Sequence, residues 1–232
     1  MFPFMFDSTY ILVIIGILLC LAASARVKST FAKYSRVKSI SGVTGAQAAE
    51  KILNASGIYD VRVERVQGQL SDNYDPRNKV LRLSDSVYGQ SSLAAIGVAA
   101  HECGHAIQHD HSYVPLKVRS GLVPVANFGS MIAWPLIIIG VLLGGSQVLI
   151  NLGIILFSVA VVFQLVTLPV EFNASRRAIA VLGETGILQE EELHQSKKVL
   201  DAAALTYVAA AAATILQLLR LLILFGGGRN RD

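Results

Sequence analysis

The chain has 232 residues, of which 53% are hydrophobic and 16% are charged, and its mean hydropathy is positive. Such a composition is too apolar for an ordinary soluble domain and indicates a membrane protein. The net charge of +4 does not indicate nucleic-acid binding, because the basic residues are scattered and no aromatic residues alternate with them. Cys20 lies in an apolar segment and Cys103 in a histidine-rich one, so a disulfide framework is not indicated.

The first predicted element is a transmembrane anchor over residues 4–25. Its only charged residue is Asp7, and the basic residues that follow it at once are Arg26, Lys28, Lys33, Arg36 and Lys38. The positive-inside rule therefore places its N-terminus outside the cell. The alternative is a cleaved signal peptide, because residues 23–25 read Ala-Ser-Ala. Such peptides begin with basic residues and this segment does not, so we favour the uncleaved anchor.

Residues 26–120 are polar enough to form the first part of a folded domain. The predicted elements are a helix over 44–57, a strand over 61–66, a turn over 71–78, a strand over 79–84 and a helix over 91–109. Thr44 and Gln47 have the spacing of a capping box, and Ser91 or Ser92 can cap the last helix. The strand over 79–84 could bind an extended peptide by edge pairing, or it could be an ordinary internal strand.

Four of the five histidines of the chain lie within residues 98–111. His101 and His105 are four residues apart on one helical face, about 6 Å along the axis, so both imidazoles can bind one ion. Glu102 cannot join them as a ligand, but it can take a proton from a water whose pKa bound zinc has lowered to about 7. This is the H-E-x-x-H pattern of zinc peptidases. The alternative is a set of hydrogen-bonded polar residues on a buried helix.

The same stretch contains two rival ligands. His111 stands ten residues after His101, which is the spacing of metzincin-type sites. That geometry needs the helix to break after His105, and Gln108 stands where those enzymes have glycine, so an unbroken helix is favoured. On an unbroken helix His109 lies about 12 Å along the axis from His101, too far to share one ion.

A transmembrane helical hairpin is predicted over residues 121–168, where two apolar stretches are separated by little more than Gly-Gly-Ser-Gln. The polar segment 169–202 is predicted to complete the folded domain. Glu171 lies there in the first turn of a helix that begins at Pro169. The helix dipole alone would favour a carboxylate at this position. Because a catalytic zinc site needs three protein ligands and the histidines supply two, we predict that Glu171 is the third.

The last region, residues 203–232, is an apolar helix that begins with a run of alanines. It is long enough to span a membrane, although small residues suit close helix packing and the helix could enter the membrane only near Ile215. Arg220 within it is expected to extend its side chain towards the membrane surface. Arg229 and Arg231 would lie outside the cell if this helix spans completely.

Four segments together resemble the YugP-type neutral zinc metallopeptidases of bacterial membranes: YDPRNKVLRLS, SLAAIGVAAHECGHAIQH, VEFNASRRA and AALTYVAAAAAT. The resemblance implies an α+β fold in which a zincin-like metallopeptidase domain is joined to three or four transmembrane helices. It also implies a Zn²⁺ cofactor held by His101, His105 and Glu171, with Glu102 as the base. A more distant similarity is to HtpX-like membrane proteases, where an aspartate that can orient a histidine stands at the position of Ser175.

Further residues could orient a ligand or stabilise an oxyanion, and they are Tyr113, Asn173, Ser175, Arg176, Arg177, His194 and Tyr207. The charged and aromatic residues among them also have ordinary alternatives. The arginines could be surface charges, His194 a solvated residue and the tyrosines interfacial anchors.

The predicted function is a membrane-bound, zinc-dependent endopeptidase whose partners are a polypeptide substrate and the lipid bilayer. One alternative is an intramembrane, site-2-like zinc protease, although only eight apolar residues precede His101. A second alternative is a non-catalytic membrane scaffold with structural zinc. The predicted location is the cell membrane, with several spans and the catalytic domain in the cytoplasm. Besides the basic residues after the first span, this rests on Lys117, Arg119, Arg176, Arg177, Lys197 and Lys198.

Overall fold

The computed structural model describes residues 7–226. Within this range the chain is mostly helical, with six helices and one small sheet. The elements in chain order are α1 (Tyr10–Tyr34), α2 (Gly45–Ala55), β1 (Arg62–Val66), β2 (Asn73–Asp75), β3 (Val80–Ser84), α3 (Leu93–Asp110), α4 (Val114–Leu142), α5 (Gln147–Glu184) and α6 (Glu190–Phe225). Four of these helices, α1, α4, α5 and α6, are long enough and apolar enough to span a membrane. The predicted α+β fold with three to four such helices is confirmed.

The described residues form two compact units. The helical unit contains residues 7–23, 117–168 and 206–226, and the mixed unit contains Ser24–Leu116 and Pro169–Leu205. Each of the four long helices contributes residues to both units, since the unit boundaries fall inside these helices.

In the helical unit, three helix ends lie together. Asp7, just before α1, accepts a hydrogen bond from Arg220 near the end of α6 at 3.1 Å. The Gln147 side chain at the start of α5 donates to the carbonyl of Phe225, the last residue of α6, at 3.3 Å. The Arg220 side chain is buried against Asp7 and the Tyr10 ring, and its extension towards the membrane surface stays a prediction. Arg229 and Arg231 lie outside the described residues.

The first helix that lies wholly in the mixed unit is α2, and its predicted capping box is present. The Thr44 hydroxyl accepts from the Gln47 backbone amide at 3.3 Å, and the Gln47 side chain accepts from the Thr44 amide at 3.0 Å. The helix face formed by Ala48, Ala49 and Ile52 is fully buried. It packs on α3, whose own buried residues share the same core with β3 and the last part of α5. The core therefore surrounds the histidine helix on several sides.

The sheet has the strand order β1-β3-β2, with β1 parallel and β2 antiparallel to β3. β2 was missed in the sequence, where its residues were included in a turn. The turn itself follows at Asp75, whose carboxylate accepts from the backbone amides of Arg77 and Asn78. β3 is the central strand, so the possibility that it binds an extended peptide by edge pairing is excluded. Its alternative role as an internal strand is correct.

Candidate metal centre

The histidine helix α3 is positioned by its cap and by its small residues. The Ser92 hydroxyl accepts a hydrogen bond from the Ala95 amide at 3.3 Å, so Ser92 is the N-cap. Ala99 and Ala100 are fully buried just before His101. The helix continues unbroken to Asp110. His101 and His105 therefore share one face, and their ring centroids lie 4.8 Å apart.

Glu171 of α5 faces both histidines. Its Oε2 atom lies 3.2 Å from Nε2 of His101 and 3.5 Å from Nε2 of His105. Glu171 is 2% exposed, whereas the two histidine side chains are 15% and 12% exposed. Each of the three residues offers one ligand atom, and these atoms lie within 4.8 Å of one another. In residues 7–226 this is the one cluster of three such side chains that could hold a single ion.

These three residues fit a zinc ion both in chemistry and in spacing. Two imidazole nitrogens and one carboxylate oxygen form a donor set that occurs in catalytic zinc sites. Ligand atoms that each lie about 2.1 Å from one tetrahedral ion are about 3.4 Å apart. The separations of 3.2 and 3.5 Å from Glu171 to the two imidazoles agree with that value. All three ligand atoms lie within 4.8 Å of one another, so the two imidazoles have to move closer together to share one ion.

Both imidazoles are also held at their second nitrogen. Nδ1 of His101 lies 3.1 Å from the Ser175 hydroxyl, and Nδ1 of His105 lies 3.1 Å from Oε1 of Gln108. These contacts occupy the Nδ1 atoms, so Nε2 is the atom that each ring turns towards Glu171. A hydrogen bond at the far nitrogen orients a metal-binding histidine and determines its tautomer.

The charge environment of His105 favours its protonated form in the metal-free protein. Burial acts to lower the pKa of His105, but the hydrogen bond with Glu171 and the negative charges of Glu102 and Glu171 outweigh it. The pKa of His105 is therefore raised above its ordinary value. Two carboxylates close to two imidazoles create a site that attracts positive charge, and a metal cation would satisfy it in the same way as a proton does.

Glu102 follows His101 on α3 and is 9% exposed. Its negative charge acts on His105, as the raised pKa of that histidine shows, although Glu102 is not part of the ligand cluster. The next residue, Cys103, is fully buried and points its thiol at the carbonyl of Ala49, 3.6 Å away. Burial raises the pKa of the Cys103 thiol well above its ordinary value, so this cysteine is an uncharged core residue.

The other residues predicted to orient a ligand or stabilise an oxyanion differ in what they contact. Ser175 contacts His101, and Asn173 and Arg177 lie next to the cluster without contacting an imidazole of it. Tyr113 lies beneath the guanidinium group of Arg177, with 6.0 Å from the guanidinium carbon to the ring centroid. Arg176 and His194 are exposed.

Tyr207 lies on α6, among the residues of the helical unit. The two rival histidines contact residues outside the ligand cluster. His109 pairs with the Tyr74 hydroxyl at 2.9 Å, and His111 contacts Arg177 at 3.2 Å. Burial, followed by nearby carboxylates, raises the pKa of Tyr74 to about 12, so Tyr74 stays protonated beside His109.

Gln108 was missed as a site residue in the sequence, where it indicated only that the helix continues. In the structure it is fully buried and contacts His105 through its side chain. One local signal could have identified it, because Gln108 stands three residues after His105 and residues at this spacing are neighbours on a helix.

A sequence model of the family described as "Putative neutral zinc metallopeptidase" matches residues 9–226. The chain belongs to this family. It is therefore a zinc metallopeptidase, and a membrane protein by its four candidate spans. A curated relative, the "Putative membrane protease YugP" of Bacillus subtilis (strain 168), is 51% identical over 210 residues, which cover 90% of this chain and 93% of the relative. No solved structure has significant similarity to the chain.

Proposed function

We propose that this metallopeptidase is a zinc-dependent endopeptidase in which His101, His105 and Glu171 bind the ion and Glu102 is the general base. The proposal is carried by two imidazole nitrogens and one carboxylate oxygen that converge as candidate ligands for a single ion. A further carboxylate, that of Glu102, lies on α3 between the two histidines in the sequence. A structural zinc site is usually closed by four protein ligands, whereas three ligands leave a position open for water and substrate.

The residues of the site divide the chemistry among them. Zinc, when bound, supplies a Lewis acid that lowers the pKa of a water molecule to about 7 and polarises the peptide carbonyl. The Glu102 carboxylate accepts the proton of the attacking water and then donates it to the leaving amine nitrogen. Ser175 and Gln108 hold the Nδ1 atoms of the two imidazoles, so that both Nε2 atoms stay directed at the centre of the cluster.

The proposed substrates are membrane or membrane-proximal polypeptides. Glu171 lies three residues after Leu168, the last residue of the α5 segment that belongs to the helical unit. Three residues correspond to about 4.5 Å along a helix axis. The site is therefore close, along one continuous helix, to a segment that can span the membrane. The helix α3 itself is not among the candidate spans within residues 7–226, which favours this reading over an intramembrane protease.

For the topology, we propose that the catalytic domain faces the cytoplasm. Its two parts are residues 26–120 and 169–202, flanked by an anchor over 4–25, a hairpin over 121–168 and a C-terminal helix over 203–232. Apart from Arg220, Arg229 and Arg231 of the C-terminal segment, the Lys and Arg residues lie in the two catalytic parts, whereas the hairpin loop has none, which supports this orientation.

The proposal is tested by zinc analysis and casein cleavage with purified wild-type protein, Glu102→Ala and the matched variant Glu50→Ala, which changes an exposed glutamate of α2. We expect Glu102→Ala to keep its zinc and lose cleavage, while Glu50→Ala behaves as wild type. If Glu102→Ala cleaves casein as fast as wild type, the general-base assignment is wrong. If wild type binds zinc but cleaves nothing, the scaffold alternative replaces the peptidase.

A further inference from the structure

A continuous series of side-chain hydrogen bonds leads away from His105 inside the mixed unit. Nδ1 of His105 pairs with Oε1 of Gln108 at 3.1 Å. Nε2 of Gln108 donates to the Val170 carbonyl at 2.8 Å and to Oδ1 of Asn173 at 2.9 Å. Arg177 donates through Nε to the same Asn173 oxygen at 2.8 Å. The series therefore links a proposed metal ligand on α3 to an arginine on α5.

The direction of each hydrogen bond follows from the arginine. A guanidinium group only donates, so the Asn173 atom that faces it must be the oxygen. That oxygen also faces Gln108, which must therefore turn its NH₂ group towards Asn173. The Val170 carbonyl can only accept, and it requires the same orientation of the Gln108 amide. The Gln108 oxygen is then left facing His105.

The consequence for His105 is a single tautomer. Because the Gln108 oxygen accepts, Nδ1 of His105 must carry a proton and donate it. In the neutral ring the lone pair is then on Nε2, the atom that lies 3.5 Å from Glu171. A neutral imidazole binds a metal ion only through the nitrogen that carries no proton.

We propose that Gln108, oriented by Asn173 and Arg177, is a positioning residue that holds His105 in the tautomer required for binding zinc through Nε2. This inference rests on the proposed role of His105 as a ligand. Gln108 is fully buried, and a buried amide that lost its partners would be destabilised, so its orientation is firmly held. Arg177 acts on His105 through Asn173 and Gln108.

The position of Gln108 also depends on how closely its two helices approach. Gly104 lies one turn before Gln108 on α3, and a Cβ atom there would lie 2.5 Å from the carbonyl oxygen of Ala174 on α5. This close approach brings the Gln108 side chain within hydrogen-bond distance of the Val170 carbonyl. A carbonyl oxygen has two lone pairs, so Val170 can accept from Gln108 and still take part in its own helix.

The tautomer can be measured by ¹⁵N NMR of the imidazole rings in the metal-free protein, without any reference to activity, at a pH above the raised pKa of His105, where the ring is neutral. We expect His105 in wild type to carry its proton on Nδ1. Gln108→Met keeps the length of the side chain and removes the acceptor, so the His105 signal should move towards a mixture of tautomers. Gln195→Met, a similar change on α6 in the same unit, should leave the signal unchanged.

A pair of variants at Asn173 tests the series without altering Gln108. Asn173→Asp keeps an oxygen that accepts from both Gln108 and Arg177, so it should preserve the wild-type tautomer and zinc affinity. Asn173→Leu removes that oxygen, so it should change the His105 tautomer and the zinc affinity in the same direction as Gln108→Met does.

The zinc affinity of Gln108→Met is measured by competition with a chelator. It should be reduced by about 10–100-fold, the usual effect of losing a hydrogen-bond partner of a ligand.

The outcomes separate this inference from the proposed function. If Gln108→Met and Asn173→Leu keep both the wild-type tautomer and the wild-type zinc affinity, Gln108 does not position His105. If wild type itself binds no zinc, the proposed metal site fails, while the ¹⁵N measurement on the metal-free protein still decides whether Gln108 determines the tautomer.

Discussion

Gly104 of α3 and Ala174 of α5 are in backbone contact, and a Cβ atom at position 104 would lie 2.5 Å from the Ala174 carbonyl oxygen. No side chain larger than hydrogen fits at this distance unless the backbone moves. The contact lies between the helix that carries both histidines and the helix that carries Glu171. The spacing of the three candidate ligands therefore depends on a glycine that has no part in the chemistry.

Replacing this glycine should disturb the site from a distance. Gly104→Ala forces α3 and α5 apart, and we expect the free energy of unfolding to fall by about 1–3 kcal/mol, as is usual for overpacked cores. Zinc affinity should fall as well, because Glu171 moves away from the histidines. Thermal unfolding and zinc titration measure the two effects.

The matched control is Gly89→Ala, in the same unit, where an added Cβ would meet nothing within 4 Å. It should leave zinc affinity unchanged. A Gly104→Ala protein with wild-type stability and wild-type zinc affinity would show that the two helices can separate without cost to the site.

The second prediction distinguishes the three candidate ligands from the other histidines of the motif. Losing a hydrogen-bond partner of a ligand typically reduces metal affinity by about 10–100-fold. Glu171→Ala removes a ligand itself, so its loss of zinc affinity should be larger, and activity should be lost with the metal. His109→Ala and His111→Ala should keep zinc, because these histidines contact Tyr74 and Arg177 and lie outside the cluster.

Metal content after gel filtration and a chelator titration provide the measurement for all three variants. The opposite pattern, with zinc lost from His111→Ala and retained by Glu171→Ala, would replace this ligand set with the short-spaced histidine site.

The third prediction concerns Glu192, a buried carboxylate of α6 outside the site. It accepts hydrogen bonds from the Ile40 amide at 2.8 Å and the Gln189 amide at 3.0 Å, so it joins the segment after α1 to the start of α6. Glu192→Ala leaves two amides without this acceptor, and we expect a loss of about 1–3 kcal/mol of stability. Thermal unfolding should show no such loss for Glu190→Ala, which changes an exposed residue of the same turn; equal losses would contradict this role.

The fourth prediction concerns the ion pair of the helical unit. Asp7→Asn leaves the buried Arg220 guanidinium without its charged partner and should lower the unfolding temperature in detergent. The double variant Asp7→Asn with Arg220→Met removes the charge as well, and it should be more stable than Asp7→Asn alone. If the double variant is the less stable of the two, then Arg220 is stabilised mainly by something other than Asp7, such as the Tyr10 ring.

The fifth prediction concerns topology. A reporter inserted near Gln69, in the exposed loop between β1 and β2, should read as cytoplasmic. A reporter fused after Asp232 should read as external, because the end of α6 lies with the start of α1 and the start of α5 in the helical unit. External activity at Gln69 would overturn the proposed orientation, and cytoplasmic activity after Asp232 would mean that α6 does not cross.

The features that depend on neighbouring residues could be predicted from the sequence. The His101 and His105 pair, the capping box at Thr44 and the four apolar helices all follow from spacing or composition within one segment. Glu171 could be proposed as a ligand because the chemistry of zinc demands a third one and its segment contains a suitable carboxylate. Its distance to the histidines could not be predicted.

Features that depend on distant residues were decided only by the tertiary structure. β2, whose residues were predicted to form a turn, pairs with β3. Arg220 contacts Asp7, which stands 213 positions away in the chain. Its own segment reveals only that Gln108 has a favourable helix propensity and that it stands three residues after His105. Its partners Val170 and Asn173 stand 62 and 65 positions later, and they come within reach only because Gly104 lets α5 approach α3. Hydrogen bonds are short and directional, so a few tenths of an ångström in helix separation decide whether such partners meet.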